Sequence, residues 1–329
     1  MTKVAIITGI TGQDGAYLAE LLVKKNYKVI GLTRSYNQDN LKGLKYLNVL
    51  NKVLIEDCDL ADITQILKII HKYQPDEIYN LAAQSSVSLS FHQPIGTIQF
   101  NIVSVLNILE AIKLVNGVGS IRFYQASSSE MYGLVKQLPI TENTVFHPLS
   151  PYAISKASAH WITVNYRESY NLFTCCGVLF NHESYLRSDN FFVKKVIRDS
   201  LRIKHGLQEE IKVGNIDIKR DFGFAPKYVE AMWMMLQKDK PDDYLICSGN
   251  SVSLREIIDH VFYKLSLPSK KMVIDKSLYR PTDIEDIFGS NDKAKQELGW
   301  QYDVHFFEII DQLIEEVEIN KQYLNAREN

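Results

Sequence analysis

The chain has 329 residues, 46% of them hydrophobic, with 37 basic and 39 acidic side chains and a formal charge of −2. That is the balance of an ordinary globular protein large enough to bury a substantial core. It excludes a small disulfide scaffold, and with no basic excess it gives no reason to expect a nucleic-acid partner. The four cysteines, Cys58, Cys175, Cys176 and Cys247, show no CxxC spacing and read as small buried hydrophobes, so no metal site is expected. The N-terminus enters a strand directly at Val4-Ala5-Ile6-Ile7 without the layout of a signal peptide. No apolar run is expected to reach the roughly 18 residues of a membrane span. A cytoplasmic protein without a membrane partner is the resulting expectation.

Short β-branched runs at 3–8, 28–32, 52–56, 77–82, 120–126 and 173–180 alternate with helical patterns at about 15–25, 61–73, 97–115 and 151–170. This alternation predicts an α/β fold with a Rossmann-type, doubly wound parallel sheet, whose ligands bind at the carboxyl ends of the strands. Beyond residue 181 the regularity is lost. A polar loop over 181–190, a helix near 191–205, a strand at 211–214, helices over 225–237, 253–265 and 306–324, and a strand at 243–247 are expected there. We read residues 1–181, with about 215–247, as the dinucleotide-binding domain. About 182–214 and 248–329 then form a smaller, interleaved C-terminal substrate-binding lobe.

The strand Val4 to Thr8 runs into GITGQDG, which places Gly9, Gly12 and Gly15 at GxxGxxG spacing before an amphipathic helix. The first glycine permits the tight turn, the second lets backbone approach a pyrophosphate, and the third allows close helix-to-strand packing. The helix N-terminus meanwhile offers unpaired N–H groups to the phosphates. After the second strand stands Arg34, where an NAD-specific site usually has an acid; an arginine suits a 2′-phosphate, so NADP is expected, with NAD as the alternative. Asp59-Leu60 and Leu81-Ala82-Ala83-Gln84-Ser85 end the third and fourth strands and fit a cofactor cleft.

Tyr152 and Lys156 form a YxxxK pair on one face of a helix starting at Pro151. A phenol is a weak base at neutral pH, but a neighbouring ammonium and an oxidised nicotinamide both favour its phenolate. Ser128, 24 residues upstream at the end of the fifth strand, can share the substrate oxygen with Tyr152. Glu130, two residues further along what reads as an extended strand end, is expected to point to the same side.

Together GITGQDG, NLAAQSS, QASSSEMYG and SPYAISK resemble the extended short-chain dehydrogenase/reductase family. LFNHES, KRDFGFAPKYVEAMWMMLQ and RPTDIED extend the likeness, over nearly the whole chain, to its GDP-mannose 4,6-dehydratase branch. That resemblance implies a GDP-sugar substrate, oxidised at C4, dehydrated across C5 and C6, and reduced at C6 by the returning hydride. Tyr152 would be the C4 base, Ser128 its hydroxyl partner, Lys156 the group that tunes Tyr152 and holds the nicotinamide ribose, and Glu130 the acceptor of the C5 proton. Implied cofactor contacts are Gly9, Thr11, Gly12, Gln13, Asp14, Gly15, Arg34, Asp59, Leu60, Leu81, Ala82, Ala83, Ser85, Tyr152, Lys156, His182 and Arg187. Implied substrate contacts are Ser86, Ser128, Glu130, Asn181, Asn190, Lys195, Arg220 and Arg280. A homodimer or homotetramer is expected by the same analogy. The Ser128, Tyr152 and Lys156 set also serves NADPH-dependent reductases or epimerases of 4-keto sugars, which stay open as the alternative.

Overall fold

The computed structural model describes residues 2–35, 38–116, 121–279 and 281–324. Its strands are Val4–Thr8 (β1), Lys28–Thr33 (β2), Val53–Asp57 (β3), Glu77–Asn80 (β4), Arg122–Ser128 (β5), Thr174–Leu179 (β6), Asn181–Glu183 (β7), Ile211–Val213 (β8), Lys219–Phe224 (β9), Tyr244–Ile246 (β10), Ser251–Ser253 (β11) and Met272–Ile274 (β12). The helices are Gln13–Lys24 (α1), Lys42–Tyr46 (α2), Ile63–Tyr73 (α3), Val87–His92 (α4), Pro94–Asn116 (α5), Pro151–Tyr170 (α6), Phe192–Lys204 (α7), Ala225–Leu236 (α8), Leu254–Lys264 (α9) and Phe306–Ile319 (α10).

Seven strands make one parallel sheet in the order β10-β6-β5-β4-β1-β2-β3. The order reverses between β1 and β4, where Thr8 lies beside Asn80 at the carboxyl ends. Alternation along β1 divides the core: Ala5 and Ile7 face α1 and α8, whereas Ile6 faces α3, α5 and α6. Both faces are thus covered, which is why the strands read as nearly continuous apolar runs. A separate core of Val193, Ile197, Leu201, Ile257, Val261, Ile310 and Leu313 holds α7, α9 and α10 together. The small sheets β11-β9-β7 and β12-β8 lie outside the main one.

Local signals set the helix ends. Ser150 caps α6 by accepting from the Ala153 N–H, with Pro151 opening the first turn. Ser253 and Glu256 form a capping box on α9.

Three expectations need correction. Residues 181–183 are not loop: they form β7, parallel to β9, and His182 and Glu183 are buried there. The helix expected over 306–324 stops at Ile319, because Lys321 takes a left-handed conformation (φ 50°) that ends it before a 3-10 turn at Gln322–Leu324. A stretch long and apolar enough to span a membrane does exist, Pro94–Val115 within α5. Here it lies along the sheet against α3 and α6, and polar residues spaced along it lowered its apparent apolarity in the linear reading.

Candidate active site

The glycine turn matches its physical assignment. Gly9 sits at φ +68°, and a Cβ there would meet the Ala82 nitrogen at 2.9 Å. At Gly15 a Cβ would collide with the carbonyl oxygen of Gly9 and lie 2.7 Å from the Ile10 Cα, so only glycine lets α1 approach β1 this closely. Gly12, the N-cap of α1, is exposed, has no side-chain cap, and would bring a Cβ near nothing but the Gly9 oxygen at 3.3 Å. The turn therefore presents open space over a helix N-terminus, a cradle that fits a diphosphate.

Beside it runs the backbone after β4. Thr8 Oγ1 accepts from the N–H groups of Leu81 and Ala82, each at 3.1 Å, and donates to Asn80 Oδ1 at 2.6 Å. Asn80 Nδ2 donates to Gln125 Oε1 at 2.8 Å. Asn101, buried within α5, brackets Gln84 by accepting from its N–H and donating to its carbonyl oxygen, and also donates to Ser155 Oγ. None of Thr8, Asn80, Gln125 or Asn101 was singled out from sequence. Their signal is a polar side chain inside an apolar run, which demands an internal partner.

Ser128, Tyr152 and Lys156 come together as expected and are all buried. The Ser128 hydroxyl hydrogen-bonds Tyr152 and also accepts from the Glu130 N–H at 3.3 Å. Glu130 is half-buried, but the reason it faces this site differs from the expected one. Ser129–Met131 is a 3-10 turn, so the turn and not strand alternation returns Glu130 toward Ser128. Burial pushes the Tyr152 phenol up to about 12, against the opposing effect of the Ser128 hydrogen bond; the Glu130 charge adds to the rise. Lys156 Nζ lies 6.0 Å from the Tyr152 ring centroid and donates to the Ala126 carbonyl oxygen at 2.7 Å. Burial brings its ammonium down to about 8, with Asp14 opposing. Burial thus moves the two groups in opposite directions, the phenol above and the ammonium below its ordinary range.

Gln13 and Asp14 direct their side chains away from the open face of the turn. Gln13 Nε2 donates to the His182 carbonyl oxygen at 3.2 Å, and its Oε1 accepts from Ser184 Oγ at 2.7 Å. The Asp14 carboxylate lies 2.9 Å from His182 Nε2. Burial alone would raise the Asp14 carboxyl, but the charge and hydrogen bond of His182, with Gln13 and Arg187, hold it below the usual carboxylate range. Arg187 packs its guanidinium over the Phe191 ring at 3.6 Å, with Nε 3.5 Å from Glu183.

At the outer strands Arg34 is exposed after β2, and Asp59 is exposed after β3, with its carboxylate accepting from the Ala61 N–H; Leu60 is buried. Thr11 and Ser85 are exposed, and Ala83 is half-buried. Ser86 caps α4 through its hydroxyl. Of the substrate contacts, Asn181 is half-buried on β7 and Asn190 exposed. Lys195 donates to the Lys212 carbonyl oxygen at 2.7 Å. Arg220 is buried, donating to the Ile284 carbonyl oxygen at 2.6 Å and pairing with Asp283 at 3.0 Å. Arg280 lies outside the described residues.

His160, Cys176 and Asp243 bring donor atoms within 4.8 Å of one another. Arg167 holds both Asp243 oxygens, at 2.9 and 2.6 Å, and burial keeps the Cys176 thiol well above its usual range, so this group is an ion pair beside a neutral thiol.

Known proteins share this sequence pattern and fold. The sequence profile of the GDP-mannose 4,6 dehydratase family matches residues 6–313. GDP-mannose 4,6 dehydratase 1 of Arabidopsis thaliana is 45% identical over 323 residues, covering 95% of this chain and 89% of the relative. Among solved structures, UDP-glucose 4-epimerase of Thermotoga maritima superposes with a TM-score of 0.86 at 22% identity, over 97% of this chain and 99% of that one. RMD of Pseudomonas aeruginosa, solved with NADPH, superposes with a TM-score of 0.81 at 25% identity, over 97% of this chain and all (100%) of the other. With a profile spanning its sheet, its glycine turn and its Ser-Tyr-Lys cluster, and a full-length relative at 45% identity, this chain belongs to the GDP-mannose 4,6-dehydratase family.

Proposed function

We propose that the chain is a hydro-lyase that converts GDP-mannose, or a close GDP-sugar such as a GDP-manno-heptose or a GDP-N-acetylhexosamine, to its 4-keto-6-deoxy derivative. The observation that carries this reading is the meeting of Ser128, Glu130, Tyr152 and Lys156 at the carboxyl end of β5, in a chain of this family. Tyr152 Oη takes the proton of the C4 hydroxyl while Ser128 Oγ hydrogen-bonds the same oxygen. Lys156, fixed on the Ala126 carbonyl, supplies the positive charge that favours the phenolate. A nicotinamide, when bound in the cradle of Gly9, Gly12 and Gly15, supplies the hydride acceptor and donor. Once C4 is a ketone the C5 hydrogen is acidic, and Glu130 accepts that proton and returns one to the departing C6 hydroxyl, releasing water. The hydride removed at C4 returns to C6 while C5 takes up one proton, which balances the proton Tyr152 removed from the C4 hydroxyl, so there is no net oxidation. The reductase or epimerase alternative is not favoured by the family comparison.

NADP is the proposed form of the cofactor, supported by the exposed Arg34 after β2 and by RMD, solved with NADPH. Replacing Arg34 by Ser is expected to weaken NADP about tenfold while leaving NAD unchanged. Equal losses for both would remove Arg34 from this role. The four free, buried cysteines suit a reducing compartment, which supports the cytoplasm as the location.

Incubation with GDP-mannose in deuterated water, with product mass as the readout, tests the main reading. Loss of water with gain of one deuterium and no consumption of added NADPH is expected. A product that forms only as NADPH is consumed would transfer the proposal to the reductases.

A further inference from the structure

The first turn of α1 contains an apparent contradiction. It is the turn that fits a diphosphate, with Gly12 as an uncapped N-cap, yet it carries the carboxylate of Asp14. A negative charge there suits the helix dipole itself but offsets the positive field at the N-terminus and repels the very anion the turn is built to hold.

The structure resolves this through His182. Its Nδ1 lies 2.7 Å from the Phe180 carbonyl oxygen and its Nε2 lies 2.9 Å from both Asp14 carboxylate oxygens. Both partners only accept, so both contacts are hydrogen bonds when the ring carries two protons and a positive charge. The ring packs on Tyr228 of α8 with centroids 4.6 Å apart, which fixes its plane. Glu183 and Arg187 flank it on its own segment and oppose one another, and on α6 the nearest ionisable groups to feel Asp14 are Tyr152 and Lys156. Gln13 is bound to β7 as well, so both polar side chains of the turn are drawn to one side and its backbone face stays open.

We infer that His182 is a positioning residue for the dinucleotide phosphates that acts through Asp14, cancelling its charge and holding it on the β7 side of α1. This rests on the dinucleotide reading given above. The role is electrostatic, so removing Asp14's charge should repair the loss of His182's.

A double-mutant cycle on NADP affinity, read by calorimetry on the purified full-length chain, tests it. His182→Gln keeps a donor toward Asp14 without the charge and is expected to bind NADP about tenfold more weakly than wild type. Asp14→Asn is expected to bind at least as tightly as wild type, and the double variant to lie within about threefold of it. A double variant as weak as His182→Gln alone, or a His182→Gln protein with wild-type affinity, overturns the inference. Should thermal melting show that His182→Gln does not fold, Asp14→Asn decides alone: weakening beyond about threefold overturns the charge argument. Wild type is measured first. Failure of the wild type to bind either dinucleotide would sink the cofactor reading and this inference with it, whereas wild-type binding unaffected by His182→Gln sinks the inference alone.

Discussion

Lys156 donates its ammonium to the carbonyl oxygen of Ala126 at 2.7 Å, two residues before Ser128, the hydroxyl partner of Tyr152, on the same strand end. The catalytic helix is thereby pinned to β5 through a buried cation. Burial lowers that ammonium from its ordinary value to about 8, so the folded chain holds fewer protons than the unfolded chain between about pH 8 and 10.5. By linkage, this lysine's cost to stability, present below about pH 8, is relieved as pH rises through that window. Catalysis should respond in the opposite sense, because Tyr152 loses its cationic neighbour. The rate of nicotinamide reduction in a single turnover is expected to fall above about pH 8, and Lys156→Met to lose at least about 100-fold at neutral pH. A rate that stays level up to pH 9.5 would show that the Lys156 charge is not used.

Glu130→Gln removes one proton acceptor and little else, since Glu130 is half-buried and its backbone, not its side chain, holds Ser128. NADP affinity and melting temperature should stay at wild-type values while exchange of the C5 hydrogen with solvent falls by at least about 100-fold. Reduction of the nicotinamide should persist. Unchanged exchange would assign the proton to another group.

The sheet, its helices and the Ser-Tyr-Lys cluster were legible because each follows from a short pattern: alternation of β-branched runs with 3.6-residue periodicity, glycines at fixed spacing, and tyrosine and lysine four apart on one helix. What escaped were features fixed by long-range partners. β7 is three residues long and forms only because β9, some 40 residues later, lies beside it. The turn that aims Glu130 and the bond from Asp14 to His182, 168 residues apart in sequence, have no local signature either. Thr8, Asn80 and Asn101 could have been found by asking what a polar side chain does inside an apolar strand or helix.

Gly12 and Gly15 differ in what they protect, which separates folding from binding. A Cβ at Gly15 runs into backbone of Gly9 and Ile10 that cannot move, so Gly15→Ala should lose about 2 kcal/mol or more in urea unfolding. A Cβ at Gly12 meets only the Gly9 oxygen at 3.3 Å and otherwise stands in the proposed phosphate space. Gly12→Ala is therefore expected to melt near the wild-type temperature while binding NADP at least about tenfold more weakly. Normal NADP affinity in that variant would move the phosphates away from the turn.

We propose that a second copy of the chain covers the outer surface of α5 and α6. Ile95, Val103, Leu106 and Leu114 on α5 and Ile154 and Trp161 on α6 are exposed at helical spacing, with Trp161 59% accessible. Apolar side chains exposed on two helices that pack together make the kind of face that associates isologously about a twofold axis, each copy presenting the same residues to the other. A charge at its centre should therefore be felt twice. Sedimentation of the 37.8 kDa chain is expected to give a dimer or tetramer. Leu106→Glu with Trp161→Glu should dissociate it, without loss of helical circular dichroism, because neither side chain is part of the cores around the main sheet. An assembly of unchanged size in the double variant would place the interface elsewhere, and a monomeric wild type would remove the second copy altogether.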